Sequence, residues 1–506
     1  MPKAGIDKER VTPQFILAQA EPIEAVYAHC EDEVLLTIAR YFREGGGATP
    51  SAQWQTATLA RMGKFTRESA AIIARYAGYA EGLADIAVEQ TMLAAVRAVE
   101  PAMAKAYAQG MLGEAPPVEA SAAMQNAMAM YRRQAADSLN LVNTVMLNSS
   151  LEQYRRTAAN TVAYEEQLSA AQAALNRRTG EIATGQSSLQ QARGKAVRDM
   201  ARAGLTGFVD RAGRAWTPEA YVSMDMRTTL ANTAQAAVDA RMRDWGVSIF
   251  QVSEHAGARP LCYPYQGKYY STDGTGGTAR DLHGKEIRYE PLGVTSYGQA
   301  AGLFGINCGH RKIPFIPGYS VARRRDPEPK AENDRQYRNR QRMRQLERAV
   351  RAAKREAACL DAAGDKEGFR AAAMLVKSRQ ARLNAFTREN GLTRRDDRTQ
   401  VFGYNQSVSG KAAALRTAKT PDGKQTTLTV HVMERMQQRG VTIEAVNNAL
   451  LHPLKISSAK VDERGLSSVK YVGAAATVSV NPDTGHIVTT YPTSRKIAAK
   501  LKGASP

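Results

Sequence analysis

The 506-residue sequence is informative first through what it lacks. No run of eighteen or more apolar residues occurs, so no membrane-spanning helix is expected. The opening MPKAGIDKERVTPQF has neither an apolar core region nor a cleavage site, so a secretory signal is not expected there. Cysteine is scarce: Cys30, Cys262, Cys308 and Cys359 are the whole complement. Four in so long a chain do not make a disulfide framework and suit a reducing cytoplasm. Nucleophile-elbow, phosphate-loop and H-E-x-x-H motifs are all missing, and no cofactor motif supports a soluble cellular enzyme. Acidic residues are in the minority, 49 against 69 Lys and Arg, leaving a net charge of +20.

What is present is mostly helical. Ala, Arg, Gln, Glu, Leu and Met recur at helical spacing over 1–247 and 321–399. Thr12-Pro13 predicts a helix start, Glu21-Pro22 a restart, and Gly45-Gly46-Gly47 a stop. Trp54, Leu59, Met62, Phe65, Ile72 and Ile73 mark a second amphipathic run whose simplest use is helix packing. Residues 111–121 read as a linker, and Thr217-Pro218 predicts another helix start. Between 321 and 400 there are 22 Lys and Arg against 12 Asp and Glu, so half the net charge sits in one sixth of the chain. A polyanionic partner and a solvated face laced with ion pairs both account for it.

Residues 248–320 differ in texture. They are rich in Gly, Pro and Tyr, and contain two of the four cysteines and three of the seven histidines. Ser248–Ser253 alternates as a strand. His255 and Cys262 lie seven apart, with Cys308 and His310 as a C-x-H pair further on. Two thiolates and two imidazoles suffice for a tetrahedral structural zinc, which would rigidify a module poor in apolar residues. Hydrogen-bonded, packed side chains are the alternative, because neither half has the usual two-to-four-residue ligand spacing. His283 falls in a loop.

The runs DRAGRAWTPEAYVSMDMRTTLANTAQAA, VSEHAGARPLCYPYQGKYYS and YGQAAGLFGINCGHRKIPFIPGYS, in that order, resemble the phage minor capsid protein 2 family, grouped with the Mu-type head-morphogenesis proteins. The resemblance covers roughly residues 10–400. It implies a virion component made in the bacterial host cytoplasm and placed at the portal vertex or capsid interior, with portal and major capsid proteins as partners.

After this module, 321–399 reads as a basic helical hairpin turning at Gly364-Asp365. Leu346, Val350, Ala353, Ala357 and Leu360 face Phe369, Ala373, Val376, Leu383 and Phe386. Arg335, Arg338, Arg342, Arg344 and Arg351 are expected on the outward face, available to the phosphates of packaged DNA or to acidic capsid protein.

Residues 400–424 read as a Gly/Ser/Lys-rich linker, and 425–506 as a small α+β domain with two helices followed by an antiparallel sheet. The overall fold class is therefore mostly α, with a central irregular α+β module and this C-terminal domain. His431, Arg435 and Arg439 recur every four residues on the first helix, and Lys470, Tyr471, Thr489, Thr490 and Tyr491 lie near strand ends. A proton-exchanging His with cations to hold a phosphate is what metal-free RNA cleavage needs, the RNA 2′-hydroxyl serving as nucleophile. The pattern H-x3-R-x3-R-G, a helix ending L-x-P, and strands closing on V-T-T-Y-P resembles barnase–EndoU–colicin–RelE-like nucleases. That resemblance implies His431 as the catalytic histidine, Arg435 and Arg439 at phosphate-contacting positions, Thr490 and Tyr491 on the last strand, and no cofactor. EndoU-type enzymes use two histidines; here the second candidates, His452 and His486, sit beside a proline and a turn. Three basic residues on one face also suit plain phosphate binding, so a purely structural protein with a non-catalytic nucleic-acid or scaffold adaptor is the alternative.

Overall fold

The computed structural model describes residues 11–43, 51–179, 186–209, 213, 215–323, 325–404, 415–428, 432, 436, 439, 441–461 and 467–502. Its helices in chain order are α1 (Pro13–Arg43), α2 (Ser51–Ala60), α3 (Met62–Ala108), α4 (Ala122–Thr179), α5 (Gln186–Ala203), α6 (Pro218–Asp244), α7 (Lys330–Ala362), α8 (Lys366–Glu389), α9 (Ile443–Leu451) and α10 (Arg495–Lys502). Helix α1 starts at Pro13, where the Thr12 hydroxyl accepts from Phe15 N. It runs through Pro22 without the restart expected there. A proline inside a helix costs about 3 kcal/mol. Ile23, Val26 and Tyr27, each 1% exposed or less, bury enough apolar surface to outweigh it. Helix α6 starts at Pro218, as its Thr-Pro signal predicts.

The chain divides into two compact units, each assembled from three separate stretches. The first comprises Met1–Glu24, Leu83–Val142 and Ala220–Gln345. Two short strands, β1 (Phe208–Val209) and β2 (Ala215–Trp216), precede α6 in the chain and belong to the other unit. The first unit's mixed sheet is made of β3 (Ile249–Val252), β4 (Tyr269–Ser271), β5 (Gly277–Arg280), β6 (Glu286–Pro291) and β7 (Lys312–Pro314), in the order β5-β6-β4-β3-β7. Only the β4·β6 pair is parallel. Met92, Met103, Trp245, Phe250, Val252, Tyr270, Leu303, Phe304 and Ile316 share one core. Arg241, 1% exposed, is held in it by Glu100 (2.6 Å), Asp244 (2.7 Å) and the Pro116 carbonyl (3.0 Å).

The second unit comprises Ala25–Gly82, Asn143–Glu219 and Leu346–Pro506. Phe65 stacks on Tyr154 at 4.6 Å, and the Tyr154 hydroxyl donates to the Thr58 carbonyl (2.7 Å). Arg355 reaches Asp32 (2.7 Å) and Glu31 (3.3 Å), and Arg202 reaches Glu356 (2.8 Å). Arg351 pairs with Glu219 and is 13% exposed at its side chain, so it lies inside the unit rather than on the outward face expected for it. Leu346, Val350, Ala353, Ala357 and Leu360 of α7 and Val376 and Leu383 of α8 are buried, Phe369 and Ala373 are half-buried, and Arg379 donates across to the Ala349 carbonyl (2.7 Å), so the two helices form a hairpin. Gly364 takes φ +77°, and Asp365 caps α8 by accepting from Gly368 N (2.8 Å).

The C-terminal stretch opens with a hairpin of β8 (Leu415–Lys419) and β9 (Gln425–Leu428). The stretch expected to open on a helix thus opens on a strand that includes Thr427. Helix α9 is capped by Thr442, whose hydroxyl accepts from Ala445 N. Then come β10 (Lys455–Ile456), β11 (Lys460–Val461), β12 (Ser467–Val472), β13 (Ala476–Val480) and β14 (Ile487–Pro492), antiparallel in the order β10-β12-β13-β14, with β11 also on β12. A Cβ on Gly473 would stand 2.6 Å from Ala449, so the bare glycine lets α9 lie close on the sheet.

Candidate functional site

Antiparallel pairing builds the first candidate site. Val252 faces Lys312 across β3 and β7, and Ser253 N continues the ladder to the Arg311 carbonyl at 3.0 Å. His255, just after β3, and His310, just before β7, therefore emerge at the same end of the sheet. Their rings stand 4.3 Å apart. Cys262 returns on the loop after His255, and Cys308 precedes His310 by one glycine. The sulfurs are 3.9 Å apart, and Cys308 Sγ lies 3.3 Å from His310 Nδ1. Cys262, Cys308 and His310 are 1%, 8% and 4% exposed and bring their ligand atoms within 4.8 Å of one another.

The surrounding groups fix the orientation of this cluster. Arg259 donates to the carbonyls of Ile306 (2.6 Å) and Gly302 (3.0 Å) and lies 3.7 Å from Cys262 Sγ, drawing the two loops together. Phe304 and Asn307 take positive φ of 58° and 55°, a strained conformation for Phe that the packed loop holds. Lys312, 4% exposed, pairs with Asp239 at 2.6 Å among the rings of Phe250 and Phe304. The Cys262 thiol, and then the His310 imidazole, hold Cys308 well below the usual thiol range. Burial, and then His310, lower His255 to about 4, keeping its ring neutral. His283 is exposed, as its loop position predicts.

The second candidate site is in the C-terminal stretch. His431 and Arg435 lie outside the described residues. Arg439 donates to the Thr490 carbonyl (2.8 Å) and to Thr489 Oγ1 (3.2 Å) on β14. Register places Lys470 opposite Ser479 and Ser479 opposite Thr489, with Tyr491 two residues along the same face. Lys470 Nζ lies 5.9 Å from the Tyr491 ring. Arg439, Lys470, Thr489 and Tyr491 thus share one region. Tyr471 and Thr490 point to the other face, where both are buried, and burial raises the Tyr471 phenol. His486 Nδ1 is 2.7 Å from the Thr427 hydroxyl, while His452 caps α9 on the surface.

Two features of these sites lay beyond sequence reasoning. Gly309 is the clearer: a Cβ there would approach His255 Nε2 to 3.0 Å, so the glycine lets that imidazole lie against the C-x-H turn. Its position inside C-G-H was the available signal. Arg259 is the other: in the sequence Gly257-Ala258-Arg259-Pro260 reads as a turn, and only the fold shows the carbonyls it bridges.

A family model described as phage minor capsid protein 2 matches residues 11–388. A protein described as a structural protein of Lactococcus phage LL-H is 27% identical over 235 residues, 45% of this chain and 60% of that protein. The chain therefore covers less than two thirds of that relative's length. No solved structure matches this chain. The matched range takes in α1 through most of α8, about three quarters of the sequence, and includes the whole Cys/His cluster. This chain belongs to the phage minor capsid protein 2 family.

Proposed function

We propose that this virion protein sits near the portal, in the capsid interior, and carries in residues 425–506 a metal-independent ribonuclease. The observation that carries the catalytic part is the grouping of Arg439, Lys470, Thr489 and Tyr491 at the β14 side of the terminal sheet. Two cations beside hydroxyl groups suit a phosphodiester whose negative charge grows in the transition state. In this reading His431 takes the proton of the RNA 2′-hydroxyl as its oxygen bonds to phosphorus. The bond from phosphorus to the 5′-oxygen breaks, and that oxygen takes up a proton. Arg435, Arg439 and Lys470 hold the phosphate, Tyr491 offers a ring to an adjacent base, and Tyr471 and Thr490 support the sheet from its buried face.

The portal-proximal placement rests on family membership together with the basic first half of α7. Arg335 and Arg338 are exposed there and suit contact with phosphates of packaged DNA without base readout. Arg335 also pairs with Glu332 at 2.7 Å, so part of the local charge is internally balanced.

The test incubates the full chain with a mixed RNA pool, without added metal and again with EDTA, beside His431→Ala and Lys470→Ala. Cleavage leaving 2′,3′-cyclic phosphate ends is expected, reduced about 10²- to 10⁴-fold by His431→Ala with RNA binding retained. Binding without cleavage in every form would replace this reading with that of a nucleic-acid adaptor. Labelled protein found away from the portal vertex in virions would overturn the placement.

A further inference from the structure

We propose that His255, Cys262, Cys308 and His310 hold one structural zinc ion that ties the two loops of the central module to the end of its sheet. The geometry of the sulfurs is the first argument. At 3.9 Å they are far beyond the roughly 2.05 Å of a disulfide. Two thiolates on one tetrahedral zinc stand roughly 3.8 Å apart, because each Zn–S bond is about 2.3 Å. The 3.3 Å from Cys308 Sγ to His310 Nδ1 is near the roughly 3.5 Å edge expected between a sulfur and a nitrogen ligand.

The second argument is independent of the thiols. His255 Nδ1 lies 3.2 Å from the Ala256 carbonyl, which can only accept. That contact places the ring proton on Nδ1 and leaves a lone pair on Nε2. His255 Nε2 is buried with no hydrogen-bond partner, and so is His310 Nε2. Buried polar atoms without partners are rare, and with His310 Nδ1 turned to Cys308, the bare lone pair of His255 Nε2 beside that cluster suits a Lewis acid. The missing Cβ of Gly309 leaves His255 Nε2 room beside the C-x-H turn, where a fourth ligand is needed.

The donor set selects the metal and its role. Sulfur and imidazole without carboxylate favour zinc over magnesium or calcium. Cys262, Cys308 and His310 cluster within 4.8 Å, and with His255 Nε2 as the fourth donor no position is left for substrate, so the ion is structural. It joins two segments, the loop after β3 and the strained loop carrying Phe304 and Asn307, at the end where Arg259 also bridges them. This site is separate from the terminal sheet, and its test does not depend on RNA cleavage.

The experiment uses the full chain purified under reducing conditions. Metal analysis with native mass spectrometry should find one zinc per chain, absent from Cys262→Ser and Cys308→Ser. Cobalt exchanged into the wild type should show sulfur-to-metal charge transfer and intense tetrahedral bands. His255→Ala should keep a weakly bound ion with an altered cobalt spectrum and lose it to chelator at least tenfold faster. Should the serine variants fail to fold, alkylation of the wild type decides: Cys262 and Cys308 should be protected until chelator is added, then react. A metal-free wild type with both thiols reduced, or a Cys262–Cys308 disulfide in the mass spectrum, overturns the proposal.

Discussion

At the scale of single residues, the second unit turns on carboxylates that cannot be paired locally. Glu31 is 0% exposed; its Oε1 accepts from Leu205 N (3.0 Å) and faces Arg355 at 3.3 Å, while Oε2 has no partner. Burial outweighs the nearby guanidinium and raises this carboxyl to about 7 from an ordinary 4.5. The folded state then holds a proton that the unfolded state lacks between those values, and the bare Oε2 is its natural seat. Stability from this group is full below about 4.5 and is lost as pH rises through about 7. Glu31→Gln should remove that part of the pH slope, a difference of order 3 kcal/mol across the window. Urea unfolding at both ends of the window tests it, and an unchanged slope in the variant would refute the assignment. In the central module, His255, Cys262, Cys308 and His310 are legible in the sequence as candidate ligands. The sequence alone could not show Cys308 within 3.9 Å of Cys262, because that proximity comes from a strand ladder closing distant loops. Arg351 was misplaced for a related reason. Helical spacing puts it on the polar side of α7, but its counter-ion Glu219 lies 132 residues away.

At the scale of elements, legibility followed the strength of local signals. The α7–α8 hairpin was readable because Gly364 supplies the left-handed turn, Asp365 the cap, and the apolar stripes run at helical period. Asp365→Ala removes the oxygen that accepts from Gly368 N and should lower stability by about 1 kcal/mol without moving the helix boundary. Denaturant midpoints with an unchanged slope would bear this out; no loss of stability would mean that water caps α8 equally well. The strand Gln425–Leu428 was missed for the opposite reason. Its sequence QTTL is short and polar, and its pairing comes from β8 and from the bridge to His486, which no local pattern announces. The helix through Pro22 shows tertiary packing overriding a local breaker.

At the scale of the whole molecule, each compact unit collects three stretches separated by parts of the other. A chain stopped after Gln345 keeps every stretch of the first unit and loses the third of the second. Limited proteolysis of that fragment should spare 83–142 and 220–345 while cutting within 25–82 and 143–219. Even protection across all of these would show that the second unit does not need its last stretch. Intact chain should protect both. This interleaving also sets a schedule for synthesis. Glu31 and Asp32 are made early, yet their guanidinium, Arg355, follows 323 residues after Asp32. At roughly 5–20 residues per second, they wait on the order of 15–65 s for it. During that interval the nascent chain cannot bury those carboxylates at low cost. Any slow codon between 32 and 355 lengthens that wait.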